Sequence, residues 1–389
     1  MINTKTRYVR LDAFRGFLAI GVVAYHSHLH PFFPWYWMSM DVFFVMSGFL
    51  ITKSMISIKE KKRGATDFFV YRAVRLLPLF FIVLFSVELF IFICNQNLLF
   101  QSWSDKVESG FSLYYFFMLQ NVDFILWGEK VFPRGIGLDH FWSLIIEEHF
   151  YVVMGLLFFY FYDSRFFSVR NILLISVCLI LFSNLYRYYG GHWWTLPARL
   201  DGFVLGSVLG MYIFIEKFSF PISYKLKNFF IFIFIFSLGF TLFNIFNSYN
   251  MPYYDYMNSS SRGTDILLAS LLSVFLIYNI FKQDIMHPEA NGITKLFSLI
   301  GLFSFELYVI HYPIKYVIEK LLMGVMENCW SYNNSLINLS CDSLFFVLLL
   351  CISIPTAWLI HVKITSPISN NRNKIIKNIS LFFKKTRKA

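Results

Sequence analysis

The first apolar segment of the chain carries two residues that could do chemistry, Arg15 and His26. They are eleven positions apart, about three helical turns, so a helix would place them on one stripe. Asp12 lies three residues before Arg15 and would share that helix face. Imidazole can abstract a proton near pH 7, and a guanidinium can stabilise a developing oxyanion. A stripe of carboxylate, guanidinium and imidazole therefore predicts a catalytic or transport site.

A second group of ionisable residues lies in residues 140–151, which open a later apolar segment. Glu147 and Glu148 are adjacent there, so on a helix one can face a bundle interior and the other the membrane interface. Charged groups inside a membrane are costly, and their convergence is typical of a functional cavity, although internal salt bridges that only fix packing are the alternative. The other titratable residues that we expect at a similar depth, in the outer half of the membrane, are Asp41, Arg199, Asp201 and His311.

Two arginines at the opposite membrane face could bind a different ligand. Arg72 and Arg75 are three residues apart and lie at the mouth of an apolar segment. Paired guanidinium groups suit a phosphate-bearing cytosolic ligand. Ordinary arginines that reach out of the membrane to the interface are the alternative.

The elements that must position these residues are membrane spans. Of the 389 residues, 57% are hydrophobic and 15% are charged, and the mean hydropathy is +0.57. A soluble domain has about a quarter of its residues charged. The net charge of +11 would favour nucleic acid only if it formed a basic face on a soluble fold. The composition therefore predicts an all-α, polytopic membrane protein with no nucleic-acid partner.

Ten runs are long and apolar enough to cross a bilayer, because each crossing needs about 20 mostly apolar residues. They lie near residues 11–30, 36–57, 76–96, 142–162, 170–189, 199–216, 228–247, 264–281, 296–320 and 343–364.

The distribution of basic residues predicts the orientation of these spans. Of the 34 Lys and Arg residues, 25 fall on one side and only five in the opposite loops, with Arg187 among the five. Such asymmetry marks the cytoplasmic side, so both termini are expected there. The segments assigned to the cytoplasm are residues 1–10, 53–75, 163–171, 217–227, 282–295 and 363–389.

An eleventh apolar run, residues 111–127, is shorter and is interrupted by Gln120, Asn121 and Asp123. Counting it as a full span would invert half of the loops and destroy the charge asymmetry. We therefore expect a re-entrant or surface-lying segment on the outer side of the membrane.

The domain organisation is predicted to be simple. Residues 1–365 form one transmembrane domain, and residues 366–389 form a basic cytoplasmic tail that suits an anionic lipid surface. Gly202, Gly206 and Gly210 recur at four-residue spacing, which predicts close helix packing without a chemical role.

The five cysteines suggest little chemistry. Cys94, Cys178 and Cys351 fall in or at the ends of spans, where we expect inert packing residues. Cys329 and Cys341 share one outer loop, and a disulfide between them and two free thiols are both open.

The motifs together resemble a known family. Arg15 with ten residues before His26, preceded by Leu11 and Asp12, resembles the first-helix signature of the membrane-bound acyltransferase-3 family. Its later motifs are similar to residues 41–52, 72–78, 142–151, 199–202 and 304–313, in the same order along the chain. The resemblance covers about residues 7–365. It departs from the family pattern at His149, where Gln is usual, and at Phe305, where Tyr is frequent, and both could alter the acceptor pocket.

The resemblance implies O-acylation of a carbohydrate, most often acetylation, with acetyl-CoA as the donor and without a metal ion. The expected partners are membrane lipids and a carbohydrate such as O-antigen, capsule, exopolysaccharide or a lipid-linked sugar. Some family members carry a fused esterase-like domain, and we expect none here, so the acyl group would pass directly to the acceptor. The expected location is the plasma (inner) membrane of a bacterial cell, and the oligomeric state stays open.

The resemblance also assigns roles. His26 would be the general base, or would carry the acyl group covalently; Glu147 would orient it or bind the sugar, and Arg15 would stabilise the thioester carbonyl or oxyanion. The residues expected to bind the acyl-CoA donor are Arg72, Arg75, Ser47 and Gly48. The residues expected to bind the acceptor or to support the site are Asp12, Asp41, His140, Trp142, Ser143, Glu148, Tyr151, Arg199, Asp201 and His311.

Two other classes of protein compete with this interpretation. A transporter would use the same charges as a substrate or proton site, but transporters often have internal repeats, and we find none. A lipid-linked glycosyltransferase would be expected to carry an acidic loop for a metal–nucleotide site, and the sequence contains no evident one.

Overall fold

The structure of the chain is a computed structural model that describes residues 7–29, 38–96, 113–122, 138–216, 261–330 and 335–371, with positions 235, 239 and 374. Over these ranges the chain is helical and contains no strand. The helices are α1 Val9–Ala24, α2 Met38–Glu60, α3 Ala65–Gln96, α4 Leu113–Phe116, α5 Phe141–Phe161, α6 Val169–Tyr188, α7 Leu200–Phe214, α8 Ser261–Met286, α9 Gly292–Leu302, α10 Ser304–Trp330, α11 Ser335–Ile360 and α12 Ser366–Asn370. The structure also contains two π-helical segments, Tyr25–Leu29 and His361–Thr365, the 3-10 turn Leu196–Arg199, and a short helical stretch at residues 120–122.

The helices confirm a polytopic membrane bundle. Within the described ranges, seven helices are long and apolar enough to cross a membrane, or eight if α9 and α10, bent by 69° at their junction, count as one. The first predicted span corresponds to α1 and the π segment that follows it. The span predicted near residues 228–247 lies outside the described residues.

The outer surface of α6 fits a lipid environment. Its side chains are largely exposed, and they include Val177, Leu181 and Leu185. A soluble protein rarely exposes an apolar face of this extent. Lipid is therefore the solvent of this outer surface. The helix tolerates lipid because its backbone N–H and C=O groups are hydrogen-bonded within the helix itself.

The chain divides into two compact units. The first comprises residues 1–57, 118–132 and 142–302, and the second comprises residues 58–117, 133–141 and 303–389. The transmembrane domain of residues 1–365 with a basic tail stays a prediction, and most of that tail lies outside the described residues.

Glycines bring helices of the first unit into backbone contact. A Cβ atom added to Gly206 of α7 would lie 1.9 Å from the Val45 carbonyl oxygen of α2, and one added to Gly48 would lie 2.1 Å from the Phe203 oxygen. Only glycine permits such an approach. The packing role predicted for the glycine stripe is confirmed at Gly206.

The same device joins α1 to α9. A Cβ atom on Gly301 would lie 1.9 Å from the Asp12 carbonyl oxygen, and one on Gly16 would lie 2.1 Å from the Phe297 oxygen. Reciprocal glycines therefore fix the position of α1, the helix that leads to His26.

The segment near residues 111–127 is not a spanning helix over its described part. Its described residues, 113–122, contain the single turn α4 and a second helical stretch at residues 120–122, and between them Met118 has a φ of 57°, in the left-handed region that interrupts a helix. Its location on the outer side stays a prediction.

The cysteines differ from one another in environment. Cys341 is disulfide-bonded, whereas Cys94, Cys178 and Cys351 are free thiols. The expectation of packing residues holds for buried Cys94 and is wrong for Cys178 and Cys351, which are exposed. These two occupy outward positions of α6 and α11, where a small apolar thiol suits lipid.

We expect Gly206→Ala to destabilise the protein strongly, because its methyl group would overlap the backbone of α2, and overpacking alone costs about 1–3 kcal/mol. The matched control is Gly202→Ala in the same stripe, whose Cβ would meet the Ser270 hydroxyl oxygen at 3.3 Å. Thermal unfolding and folded yield in detergent measure both. Equal effects of the two variants would contradict this account.

Candidate active site

His26 lies where α1 changes its winding. The helix gives way to the π-helical segment Tyr25–Leu29, and the His26 ring meets the edge of the Tyr25 ring at a centroid distance of 5.3 Å. Ser27 is fully buried and donates to the Ala24 carbonyl oxygen at 2.8 Å. Single π turns inside helices occur frequently at functional sites.

Asp12, which shares a helix face with Arg15, forms an ion pair with a different arginine. Asp12 accepts from Nε of Arg7 at 2.9 Å, and Arg7 also donates to Oγ of Ser298 at 2.6 Å. Arg7 lies just before α1 and reaches the first turn of the helix from outside. Arg15 is partly buried and makes no ion pair or hydrogen bond within the described part of the chain. Its guanidinium group is therefore available to a ligand.

Glu147 is held by two hydroxyl groups. Ser47 of α2 donates to its Oε1 at 2.5 Å, and Tyr151, one turn further along α5, donates to the same oxygen. Both Glu147 and Glu148 are partly buried, as is expected of acids at a membrane cavity rather than on a surface.

The structure gives two of the predicted donor residues other contacts. Ser47 bonds Glu147, and Gly48 packs against α7, so both contribute to the position of the carboxylate. His149, which replaces the usual Gln of the family motif, places a ring nitrogen 2.9 Å from the Met118 carbonyl oxygen.

Two buried ion pairs connect α2, α6 and α7. Arg199 pairs with Asp41 at 2.5 Å, and Arg187 pairs with Asp201 at 2.6 Å. No side chain in the two pairs is more than 4% exposed. Burying such charges costs desolvation free energy. Removing one partner of a pair would leave the other charge buried without compensation.

Arg187 is a residue that sequence reasoning misses, because the charge count places it in an outer loop. It belongs to α6 and is buried, and it also donates to Oγ of Ser183 and Oδ1 of Asn184, each at 2.9 Å. The signal is present in the sequence: Ser183 precedes Arg187 by one helical turn, within a predicted span.

Lys53 is also missed, because the charge count includes it with the cytoplasmic residues 53–75. It lies within α2, which continues to Glu60, and its Nζ is 4.0 Å from the centre of the Tyr8 ring and 5.8 Å from that of Phe214. The aromatic faces stabilise the ammonium group through cation–π attraction.

In the second unit, His140 and His311 lie together, with ring centroids 5.0 Å apart. A ring nitrogen of His140 is 3.2 Å from the Val309 carbonyl oxygen, and the Tyr308 hydroxyl donates to the His140 carbonyl oxygen. Burial, and secondarily the neighbouring His311, lower the pKa of His140 well below its usual value, so its imidazole is neutral. The ring of Tyr312 stacks on it at 5.1 Å.

A further contact in the second unit was not predicted. Glu306 accepts from Thr365, and its Oε1 lies 2.8 Å from Nδ1 of His361, both partners belonging to the π segment His361–Thr365. Glu306 lies within the family motif at residues 304–313, so the motif itself was the available signal.

Arg72 and Arg75 both belong to α3, which begins at Ala65, earlier than the predicted span. Arg72 is partly buried and Arg75 is exposed. Ser143 of α5 is buried in the first unit. Over the described ranges, no group of three or more His, Cys, Asp or Glu side chains is arranged to hold a metal ion.

The outer-half residues that we expected to converge fall into both units. The first unit contains Asp41, Glu147, Arg199 and Asp201 together with His26, while the second contains His140 and His311. Within the first unit, Asp41 and Arg199 are in direct contact, as are Ser47, Glu147 and Tyr151. The roles of all these residues stay predictions.

Comparison with known proteins identifies the class. A family model described as an acyltransferase domain matches residues 8–362, which is nearly the whole chain. The chain belongs to the membrane-bound acyltransferase-3 family, as its motifs indicated.

Two curated relatives match most of the chain. The peptidoglycan O-acetyltransferase OatA of Listeria monocytogenes is 27% identical over 361 residues, which cover 84% of this chain and 53% of the relative. The O-acetyltransferase OatA of Staphylococcus aureus is 27% identical over 352 residues, 81% of this chain and 54% of the relative. The chain thus spans about half the length of these relatives. No solved structure matches it significantly.

We expect Asp41→Leu to destabilise the protein by about 3–5 kcal/mol, because Arg199 would remain buried without its counter-charge. The double variant Asp41→Leu/Arg199→Leu should recover part of that loss, since neither charge is then buried alone. Thermal unfolding in detergent measures both. Asp67→Ala is the control, because its pairing with Arg63 is long and partly exposed, at 3.9 Å. A double variant less stable than Asp41→Leu would refute this explanation.

Proposed function

We propose that the protein is a membrane-embedded O-acyltransferase that moves an acyl group, most simply acetyl, from cytosolic acetyl-CoA to a hydroxyl of a cell-envelope carbohydrate. Family membership and the names of the two relatives support this activity. The observation that carries it is the carboxylate of Glu147, which is held by Ser47 and Tyr151 in the same compact unit as His26 and Arg15.

In the proposed reaction, His26 accepts the proton of the sugar hydroxyl. The hydroxyl oxygen then attacks the thioester carbonyl carbon, the C–O bond forms, and the C–S bond breaks. The thiolate of coenzyme A leaves and takes the proton from the imidazolium. Neutral imidazole suits this role, since its ordinary pKa lies near physiological pH.

Arg15 is proposed to stabilise the negative charge on the carbonyl oxygen. The support is its lack of any partner within the described part of the chain, which leaves all five guanidinium N–H groups available. A cation that pairs only with the developing charge lowers the barrier more than one already neutralised.

Glu147 is proposed to orient His26 or to bind the sugar. Ser47 and Tyr151 both donate to Oε1, so the orientation of the carboxylate group is fixed. We therefore assign Ser47 to the support of Glu147 rather than to direct donor binding.

Arg72 and Arg75 are proposed to bind the phosphates of the donor at the cytoplasmic face. Their spacing on α3 is three residues, so the two guanidinium groups lie on neighbouring positions of one helix surface. Guanidinium forks match phosphate oxygens in pairs. The assignment of these two arginines to the cytoplasmic face is based on the distribution of Lys and Arg along the sequence.

The acceptor is proposed to be a glycan outside a bacterial plasma membrane. Peptidoglycan, which the name of the Listeria relative specifies, joins O-antigen, capsule, exopolysaccharide and lipid-linked sugars as candidates. Mass spectrometry of envelope glycans from cells with and without the protein tests this directly. An acetyl-sized mass increment that depends on the protein supports it, and identical glycan spectra would argue against it.

We expect His26→Ala to abolish glycan-dependent release of free coenzyme A by the purified protein, while folding is retained. His287→Ala is the control, because His287 is an exposed residue of the loop between α8 and α9. Monodispersity and thermal unfolding verify the fold of both variants. Substantial acyl transfer by folded His26→Ala would remove the general-base assignment.

We expect Arg72→Ala to raise the KM for acetyl-CoA by roughly 10-fold or more, because a hydrogen bond to a charged group contributes about 1.5–3 kcal/mol. Arg165→Ala is the control, since Arg165 is an exposed arginine in another predicted cytoplasmic segment. Steady-state kinetics with varied donor measures both. An unchanged donor KM in Arg72→Ala would exclude the phosphate-binding role.

A further inference from the structure

Three tryptophans of the first unit form one cluster, Trp142, Trp193 and Trp194, hereafter the tryptophan cluster. The Trp142 ring lies 5.4 Å from that of Trp193 and 6.3 Å from that of Trp194, and the latter two rings are 4.8 Å apart. All three side chains are partly exposed. They therefore present aromatic surface that a ligand can reach.

The tryptophan cluster is held in place by polar contacts. Nε of Arg199 donates to the Trp193 carbonyl oxygen at 3.1 Å, and its guanidinium carbon lies 5.6 Å and 5.7 Å from the centres of the Trp142 and Trp193 rings. Thr195 closes the turn by donating to the His192 carbonyl oxygen at 2.6 Å. Since Arg199 is itself fixed by Asp41, the aromatic surface is preorganised.

One amide side chain is bonded to the tryptophan cluster, and a second belongs to the adjacent residue of the chain. Asn121 donates from Nδ2 to the Trp142 carbonyl oxygen at 2.8 Å, and the adjacent Gln120 is only 1% exposed. Neither the amide nitrogen nor the oxygen of Gln120, nor Oδ1 of Asn121, has a hydrogen-bond partner within the described part of the chain. Buried polar atoms are almost always paired, and leaving one unpaired costs about 1–3 kcal/mol.

This combination fits the chemistry of a sugar ring. A pyranose has faces lined by C–H groups, which stack on indole rings, and an edge of hydroxyl groups, which both donate and accept hydrogen bonds. An amide offers two donors and one acceptor oxygen, so it can bond such an edge. Acyl-CoA would instead call for cationic groups at its phosphates.

The location fits the reaction as well. Trp142 opens α5, and Glu147 follows it by five residues, a rise of about 7.5 Å along the helix. The distance along α5 from a sugar bound on the tryptophan cluster to the Glu147 carboxylate would thus be no more than the length of one or two sugar units.

We propose that the tryptophan cluster, with Gln120 and Asn121, is the subsite that binds the carbohydrate acceptor. A sugar ring stacks on the indole surface, and the two amides bond its hydroxyl or N-acetyl groups. This inference rests on the proposed function and adds the residues that select the acceptor.

The test uses the purified full chain, saturating acetyl-CoA and chitotetraose as the soluble acceptor probe, with cellotetraose as a second probe. In Trp193→Leu and Trp194→Leu, the acceptor KM is expected to rise on the order of 10-fold, while the KM for acetyl-CoA is unchanged. Trp193→Phe should retain most of the affinity, because it keeps an aromatic face. Trp358→Leu is the control, since Trp358 is exposed on α11, outside the first unit.

Gln120→Leu separates binding from structure. Its shape is similar, and it removes an unpaired buried amide, so the thermal midpoint should stay equal or rise while the acceptor KM rises. A lowered midpoint with an unchanged acceptor KM would mean that Gln120 is only structural, and would overturn its assignment.

The outcomes distinguish the two proposals. If wild-type protein transfers acetyl to a probe and both Trp→Leu variants keep its KM, the acceptor subsite is overturned while the proposed function stands. If wild-type protein transfers acetyl to neither probe nor to isolated envelope glycans, the proposed function is overturned, and this inference falls with it.

Discussion

The ion pair between Arg199 and Asp41 joins the 3-10 turn that leads into α7 to α2, through two side chains that are almost fully buried. Neither charge can be tolerated alone in a membrane interior, so the two helices must adopt the register that brings them together. The glycine contact between Gly206 and Val45 lets their backbones approach closely enough for the pair to form. Ser47 lies on the same helix as Asp41, so the register that pairs the charges also places the hydroxyl that holds Glu147.

The sequence identified the ionisable residues inside the predicted spans, but it did not identify the partners with which they pair. Arg199 and Asp201 are two positions apart, and residues at that spacing point to different sides of a helix. Each therefore needs its own partner, and these come from α2 and α6, which no local pattern could identify. Similarly, Asp12 and Arg15 are neighbours along α1, yet Asp12 accepts a hydrogen bond from Arg7. Arg7 can make this contact because it precedes α1 and is not constrained by the helix.

Charge counting gave the class of fold and two errors of detail. Hydropathy and the distribution of Lys and Arg were sufficient to predict a polytopic bundle, because a bilayer imposes a fixed length and a charge asymmetry on every span. The same counting treats basic residues as loop markers, and so it assigned Arg187 and Lys53 to loops. A basic residue stays inside a helix when serines, amides or aromatic rings stabilise it, and those contacts depend on tertiary structure.

Because the π segment Tyr25–Leu29 follows α1, the number of residues in this part of the chain affects the direction of the side chains that it carries. A π turn accommodates more residues than the 3.6 of an α-helical turn, so the chain is wider there than in α1. Removing one residue from this segment would let the α-helix continue in place of the wide turn, whereas removing one from α1 between Arg15 and His26 would rotate His26 by about 100° relative to Arg15. The direction of His26 is therefore determined by how many residues separate it from Arg15 as much as by their identity. In this helix, a change in length would therefore alter the direction of the candidate base without any substitution.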